Sequence, residues 1–142
     1  MADAALPLLS GLALKIAAAT LKAWAKLPPD PLGTVWGHFD AHGWDMAFNP
    51  ATQRLNGIYD FGDSGFGPLH QDLIYSALIS PDLTHCLARA YAARTGLPID
   101  HNRLETLIGA HRLWELAKGS PADHPWLIAA VETWATKPKG TA

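Results

Sequence analysis

The chain has 142 residues, of which 49% are hydrophobic and 17% are charged, and its formal net charge is −2. These values are typical of one globular domain and give no support to nucleic-acid binding, which needs Lys and Arg contacts to phosphates. Because Cys86 is the only cysteine, no internal disulfide can form, and we expect a reducing, cytoplasmic location. The apolar stretch 5–27 contains Lys15, Lys22 and Lys26, so we expect no membrane span there.

The spacing of apolar residues predicts a first helix over residues 8–27. The residues expected along its inner face are Leu9, Leu12, Ile16, Ala19 and Ala23. Prolines at positions 28, 29 and 31 should end this helix, since proline lacks the amide donor that a helix interior needs.

Helical runs also fill the second half of the chain, over residues 72–79, 81–95, 100–118 and 123–135. Ser80 followed by Pro81 is typical of a helix start, and Gly96 is typical of a helix end. Asp100 and Asp123 are the predicted N-caps of the last two helices.

Between these helices the sequence predicts little β structure. Residues 46–48 and 56–59 are expected to pair as a hairpin, Val35 and Trp36 are expected to be extended, and residues 60–68 are expected to form a loop. The predicted fold class is therefore mainly α with a small β-hairpin, an α+β fold.

Acidic residues gather at one end of the predicted hairpin. Asp45 enters its first strand and Asp60 leaves its second, so pairing should bring these two carboxylates together, and Asp40 lies five residues before Asp45. Three neighbouring carboxylates repel one another unless a cation lies between them. Mg²⁺ suits such a site, because it prefers oxygen ligands and is usually held by one or two carboxylates together with substrate phosphates.

The order of these residues is also familiar. "HFD" (38–40), Asp45 and "DFGD" (60–63) stand in the order of a kinase catalytic loop, metal ligand and D-F-G motif. With His42 and Asp72 added, the chain resembles the aminoglycoside phosphotransferase and choline kinase family, whose motif is H-G-D-x-H-x-x-N, a hairpin, D-F-G-D/E and a further Asp opening a helix. The resemblance runs from about residue 5 to residue 135.

The resemblance implies an ATP-dependent phosphotransferase with a hydroxyl acceptor and a role for each matched residue. Asp40 would be the catalytic residue that accepts or orients the proton of the attacking hydroxyl. Asp45 and Asp60 would bind Mg²⁺ on the nucleotide phosphates. The residues implied to support the loops are His38, His42, Asp63 and Asp72.

The C-terminal helices usually line the acceptor site in this family. His111, Trp114 and Glu115 are therefore the candidate substrate contacts. The alternative is that Trp114 and His111 belong to the core and that Glu115 is solvated.

Three departures from the family pattern bear on activity. Asp45 stands where the family has an Asn ligand, and Phe39 stands where the family most often has Gly. Nothing before residue 38 resembles the β-rich N-terminal lobe with its phosphate-covering loop and strand lysine. We therefore expect a C-terminal lobe alone, weak or inactive by itself, that self-associates or takes an N-lobe from a partner.

The expected organisation is one kinase-like domain over residues 1–142. Residues 36–72 would form the catalytic and metal-binding loops, residues 73–135 a helical subdomain and residues 136–142 a flexible tail. Two other functions stay open. One is a non-catalytic remnant or binding module, and the other is a metal-dependent hydrolase that holds Zn²⁺ with His38, Asp40 and His42.

Overall fold

A computed structural model describes residues 1–136, which are mostly helical with two small antiparallel sheets. This content is compatible with the predicted α+β class. The helices are α1 (Ala2–Ala5), α2 (Gly11–Trp24), α3 (Leu69–Leu73), α4 (Pro81–Thr95), α5 (His101–Lys118) and α6 (His124–Thr136). The strands are β1 (Thr34–Gly37), β2 (Met46–Phe48), β3 (Leu55–Ile58) and β4 (Gly65–Pro68). Short 3₁₀ turns occupy Leu6–Leu8, Gly43–Asp45 and Ile74–Leu78.

The chain divides into two compact units. The first comprises Met1–Leu27 and Glu105–Ala142, and the second comprises Pro28–Leu104. Apart from Thr136, the predicted flexible tail lies outside the described residues.

The core of the first unit forms around α2, α5 and α6. Its buried residues are Ala5, Leu9, Ala17, Leu113, Leu116, Leu127 and Val131. The predicted inner face was right for Leu9, which is buried, but wrong for Leu12, Ala19 and Ala23, which are exposed. The buried residues of α2 are Ala13, Ala17 and Thr20. Small side chains on the buried face let neighbouring helices come close: a Cβ on Gly109 of α5 would lie 2.9 Å from Thr20 Cγ2.

In the second unit β1 pairs with β4, and the prediction of a loop over residues 60–68 was wrong for 65–68. Thr34 faces Pro68 and Gly37 faces Gly65 in an antiparallel register. The glycines and proline of β4 gave this stretch the composition of a loop. Its strand character depends on a partner about thirty residues earlier in the chain, which a local composition pattern does not contain.

The predicted hairpin and the later helix boundaries agree with the structure. Met46 pairs with Ile58 and Ala47 with Gly57, with an irregularity before Phe48. Gly96 ends α4 with a left-handed φ of 73°. At the start of α5 the Asp100 carboxylate accepts a hydrogen bond of 3.0 Å from the Arg103 amide, as an N-cap does.

A buried Asp–His pair connects three segments of the second unit. The Asp30 side chain is 2% exposed and the His70 side chain is fully buried. Asp30 accepts hydrogen bonds from the Leu32 amide (3.0 Å), the His70 amide (3.0 Å) and His70 Nδ1 (2.8 Å). His70 Nε2 in turn accepts a bond of 3.0 Å from the Asp100 amide, which makes Nδ1 the protonated nitrogen.

Burial raises the pKa of the Asp30 carboxyl, but the hydrogen bonds from His70 and Leu32 outweigh it and hold that pKa below its ordinary value. The ionised carboxylate is therefore the form that the folded chain favours. Neither Asp30 nor His70 belongs to the sequence patterns that predicted the fold.

Among the residues described, no helix is long and apolar enough to cross a membrane.

We predict that Asp30→Asn lowers the free energy of unfolding by about 2 kcal/mol at pH 7, because a neutral amide replaces charge-assisted bonds with one fewer acceptor oxygen. Since the folded pKa of Asp30 is below its unfolded value, its contribution is present above about pH 4 and is lost as pH falls through the folded pKa. Urea unfolding at pH 7 and about pH 3 measures both effects.

The control is Asp3→Asn, which changes an exposed aspartate on α1 and should shift stability by less than about 0.5 kcal/mol. An equal loss of unfolding free energy in both variants would contradict the assignment to Asp30. So would a difference in unfolding free energy between wild type and Asp30→Asn that grows as pH falls.

Candidate active site

The segment after β1 carries the predicted catalytic residue. Asp40 lies in the loop that follows Gly37, and its Oδ1 is 2.6 Å from His42 Nε2. The Asp40 side chain is 39% exposed, whereas that of His42 is 10% exposed. The structure thus presents a carboxylate that is anchored on one side and open to solvent on the other.

Asp72 on α3 holds the backbone of this loop. Its Oδ1 accepts a hydrogen bond of 2.8 Å from the Phe39 amide. The carboxylate lies directly over Gly37, where an added Cβ would come within 2.5 Å of Asp72 Cγ. This is the kind of contact that a loop-supporting residue makes, and it requires glycine at position 37.

Phe39 has a left-handed backbone, with φ of 58°. For a residue with a Cβ this conformation costs on the order of 1–2 kcal/mol, which explains why glycine would suit the position. The Phe39 ring lies against Gly67 of β4, where a Cβ would be 2.5 Å from Phe39 Cζ. Backbone and ring contacts together hold Phe39, and with it Asp40, in this unusual geometry.

The β2–β3 hairpin carries Asp45 and Asp60 to the same end of the site. The Tyr59 amide donates a hydrogen bond of 2.9 Å to the Asp45 carbonyl, so Asp60 follows the residue opposite Asp45. Asp45 is buried, whereas Asp60 is exposed and has a left-handed φ of 58°. His38 Nε2 lies 3.0 Å from the Tyr59 carbonyl oxygen and ties the loop to the end of β3.

The predicted three-carboxylate cluster does not form. Within residues 1–136 there is no group of three or more His, Cys, Asp or Glu side chains placed to hold a metal ion. The Asp40 carboxylate pairs instead with His42, and His38 turns to Tyr59, so the Zn²⁺ set of the hydrolase hypothesis is not assembled either. Asp45 and Asp60 as a two-carboxylate Mg²⁺ pair stay a prediction. Their oxygen donors are of the type that Mg²⁺ prefers.

Tyr75 is a member of this site that sequence reasoning missed. Burial raises the pKa of its phenol, and the charges of Asp40, Asp63 and Asp72 raise it further, against a hydrogen bond with Gln71 that lowers it. Asp63, predicted to support the loop, thus acts electrostatically on the same phenol as Asp40. A protonated tyrosine among carboxylates supplies a hydrogen-bond donor, and only the fold brings Tyr75 near Asp40, which lies far away in sequence.

The three predicted acceptor contacts all lie on α5 within the first unit. Trp114 is exposed, so the alternative that it belongs to the core was wrong. His111 stacks on Trp114 with ring centroids 5.7 Å apart, and its Nε2 lies 3.7 Å from Glu115 Oε1. His111 and Glu115 are both partly buried, so Glu115 is not fully solvated. Their role in acceptor binding stays a prediction.

A comparison with known protein families identifies the family of this chain. The model of the APH phosphotransferase enzyme family matches residues 1–107. The chain belongs to this family. No curated protein and no solved structure matches the chain significantly.

The matched range contains every candidate residue of the phosphotransferase loops, from His38 to Asp72, and ends before His111. Membership in the phosphotransferase family confirms the resemblance seen in the sequence and supports a transferase of the kinase type. It gives no support to the three acceptor contacts on α5.

We predict that Gly37→Ala destabilises this phosphotransferase-family chain by about 1–3 kcal/mol. The new methyl group must displace the Asp72 carboxylate and thereby break its bond to the Phe39 amide. Gly65, the strand partner of Gly37, offers a matched control because a Cβ there meets nothing within 4 Å.

Gly65→Ala should change the unfolding free energy by less than about 0.5 kcal/mol in the same urea titration. Equal destabilisation by both substitutions would show that the strands, and not the contact with Asp72, determine the effect.

Proposed function

We propose that this chain carries the catalytic loop of a Mg·ATP-dependent phosphotransferase that acts on a hydroxyl group of a small molecule. The observation that carries the proposal is the geometry of Asp40. Its carboxylate is exposed on one side, is fixed by a buried histidine on the other, and lies on a loop that Asp72 holds in place. Phosphoryl transfer depends mainly on such positioning and on electrostatic stabilisation.

In this proposal Asp40 accepts or orients the proton of the acceptor hydroxyl, so that the oxygen can attack the transferred phosphoryl group. Asp45 and Asp60 would hold Mg²⁺, which, when bound, neutralises charge on the nucleotide phosphates. Tyr75 adds a neutral donor beside Asp40, since its raised pKa keeps the phenol protonated. The chain's own part is to fix the base, the metal ligands and the donor relative to one another.

A second candidate function is a non-catalytic binding module with the same fold. The feature that favours it is Asp45 in the place of the asparagine that the resemblance implies, because the extra negative charge opposes the binding of nucleotide phosphates.

We predict saturable binding of Mg·ATP to the purified chain, weakened at least tenfold by Asp60→Asn. Asparagine preserves the size of the side chain and tolerates the left-handed backbone at position 60, so the change removes little besides the charge. Isothermal titration calorimetry measures both proteins, with Asp3→Asn as the control that should bind like wild type.

Unaltered binding in Asp60→Asn would contradict the role given to Asp60. A wild-type chain that binds no Mg·ATP would contradict the nucleotide-dependent function and favour the non-catalytic module.

We further predict that Asp40→Asn lowers phosphoryl transfer by at least about 10²-fold and leaves Mg·ATP affinity within about twofold. The reason is that general-base catalysis contributes typically 10²–10⁴-fold, whereas Asp40 is not a metal ligand in this proposal. Transfer of labelled γ-phosphate to aminoglycoside, choline and sugar acceptors provides the assay. Equal transfer by both proteins would contradict the catalytic role of Asp40.

A further inference from the structure

His42 is the buried partner of the candidate catalytic residue. Its Nε2 lies 2.6 Å from Asp40 Oδ1, a distance typical of a charge-assisted hydrogen bond. Because Oδ1 is occupied by this contact, Oδ2 of the half-exposed carboxylate is the oxygen left for a ligand.

Two aromatic side chains fix the orientation of the His42 ring. Trp44 stacks on it with ring centroids 4.7 Å apart and an interplanar angle of 10°. Tyr75 meets it edge-on, with centroids 5.7 Å apart and an angle of 72°. The imidazole therefore has little freedom to turn its Nε2 away from Asp40.

The contacts of the two ring nitrogens show which of them is the donor to Asp40. An ionised carboxylate only accepts hydrogen bonds, so the proton of this contact belongs to Nε2. Nδ1 is buried and has no hydrogen-bond partner among the described residues. The contact with Asp40 is therefore the hydrogen bond through which the His42 ring acts.

We propose that His42 is a positioning residue for the transfer reaction: as an Nε2–H donor it binds Asp40 Oδ1 and directs Oδ2 toward the acceptor hydroxyl. This goes beyond a loop-supporting role and rests on the proposed function. Because the contact holds Oδ1, the direction of Oδ2 relative to the loop is set before the acceptor binds.

The first test needs no turnover. Nitrogen-15 NMR of the histidine-labelled wild-type chain at neutral pH should show a slowly exchanging Nε2–H proton on His42. Asp40→Ala should abolish the slow exchange, whereas Asp63→Ala, which removes a neighbouring carboxylate, should preserve it. A wild-type chain without a slowly exchanging Nε2–H proton, or slow exchange that persists in Asp40→Ala, would overturn the inference.

The second test separates the donor from the packing. His42→Phe keeps an aromatic ring between Trp44 and Tyr75 but removes the donor, and we expect kcat to fall about 10–100-fold with the KM for ATP unchanged. His42→Gln lacks the ring but places an amide N–H near the position of Nε2, and we expect it to recover most of kcat.

If His42→Phe kept the wild-type kcat and His42→Gln lost it, His42 would act only through packing, and the proposal would be overturned. The two levels of inference fail separately. A chain with His42 Nε2–H bound to Asp40 but no transfer to any acceptor overturns the proposed function, and the contact with Asp40 is still confirmed by the spectrum.

Discussion

The hydrogen bond between the Asp30 carboxylate and His70 Nδ1 is the constraint on which the geometry of the second unit depends. Asp30 precedes β1 and His70 follows β4, so their contact extends the pairing of the two strands beyond Thr34 and Pro68. The same His70 receives the Asp100 amide at the start of α5. A carboxylate this deeply buried is stable only because its bonds are satisfied, and the pair therefore fixes where α3 begins.

The position of α3 in turn determines the position of the candidate active site. Asp72 is two residues beyond His70 on the same short helix, and it is the residue that binds the Phe39 amide. Phe39 has a left-handed backbone, which persists only where surrounding contacts over-determine it. Asp40 follows directly, so its placement depends on a sequence of contacts that starts at Asp30.

The sequence predicted the helices well where their signals were local. Ser80 before Pro81, Gly96 and Asp100 lie at the boundaries that their chemistry indicates. β4 was missed because its glycines signal a loop and its strand partner is distant in sequence. The Asp30–His70 pair was missed for the same reason, since forty residues separate two side chains that carry no motif.

The site shows the same division between what a motif identifies and what only the fold provides. The motif named Asp40, Asp45, Asp60 and Asp72, and the hairpin carried Asp45 and Asp60 to one end as predicted. The motif could not reveal that the Asp40 carboxylate contacts His42 and does not join Asp45 and Asp60. The spacing of residues in a loop does not determine the direction of a side chain. Nor could the motif reveal Tyr75, whose proximity to Asp40 and Asp63 depends on the packing of residues 74–78.

The charge balance of this region explains why a cation would matter for its chemistry. Residues 36–72 contain five aspartates and one basic residue, Arg54, which lies in the turn at the opposite end of the hairpin. Burial raises the pKa of the Tyr75 phenol, and the charges of Asp40, Asp63 and Asp72 raise it further. The substitution of Asp45 for the family's asparagine adds one more negative charge. A nucleotide would bring further negative charge to this surface, and in the proposed function a divalent cation held by Asp45 and Asp60 would offset the repulsion between its phosphates and these carboxylates.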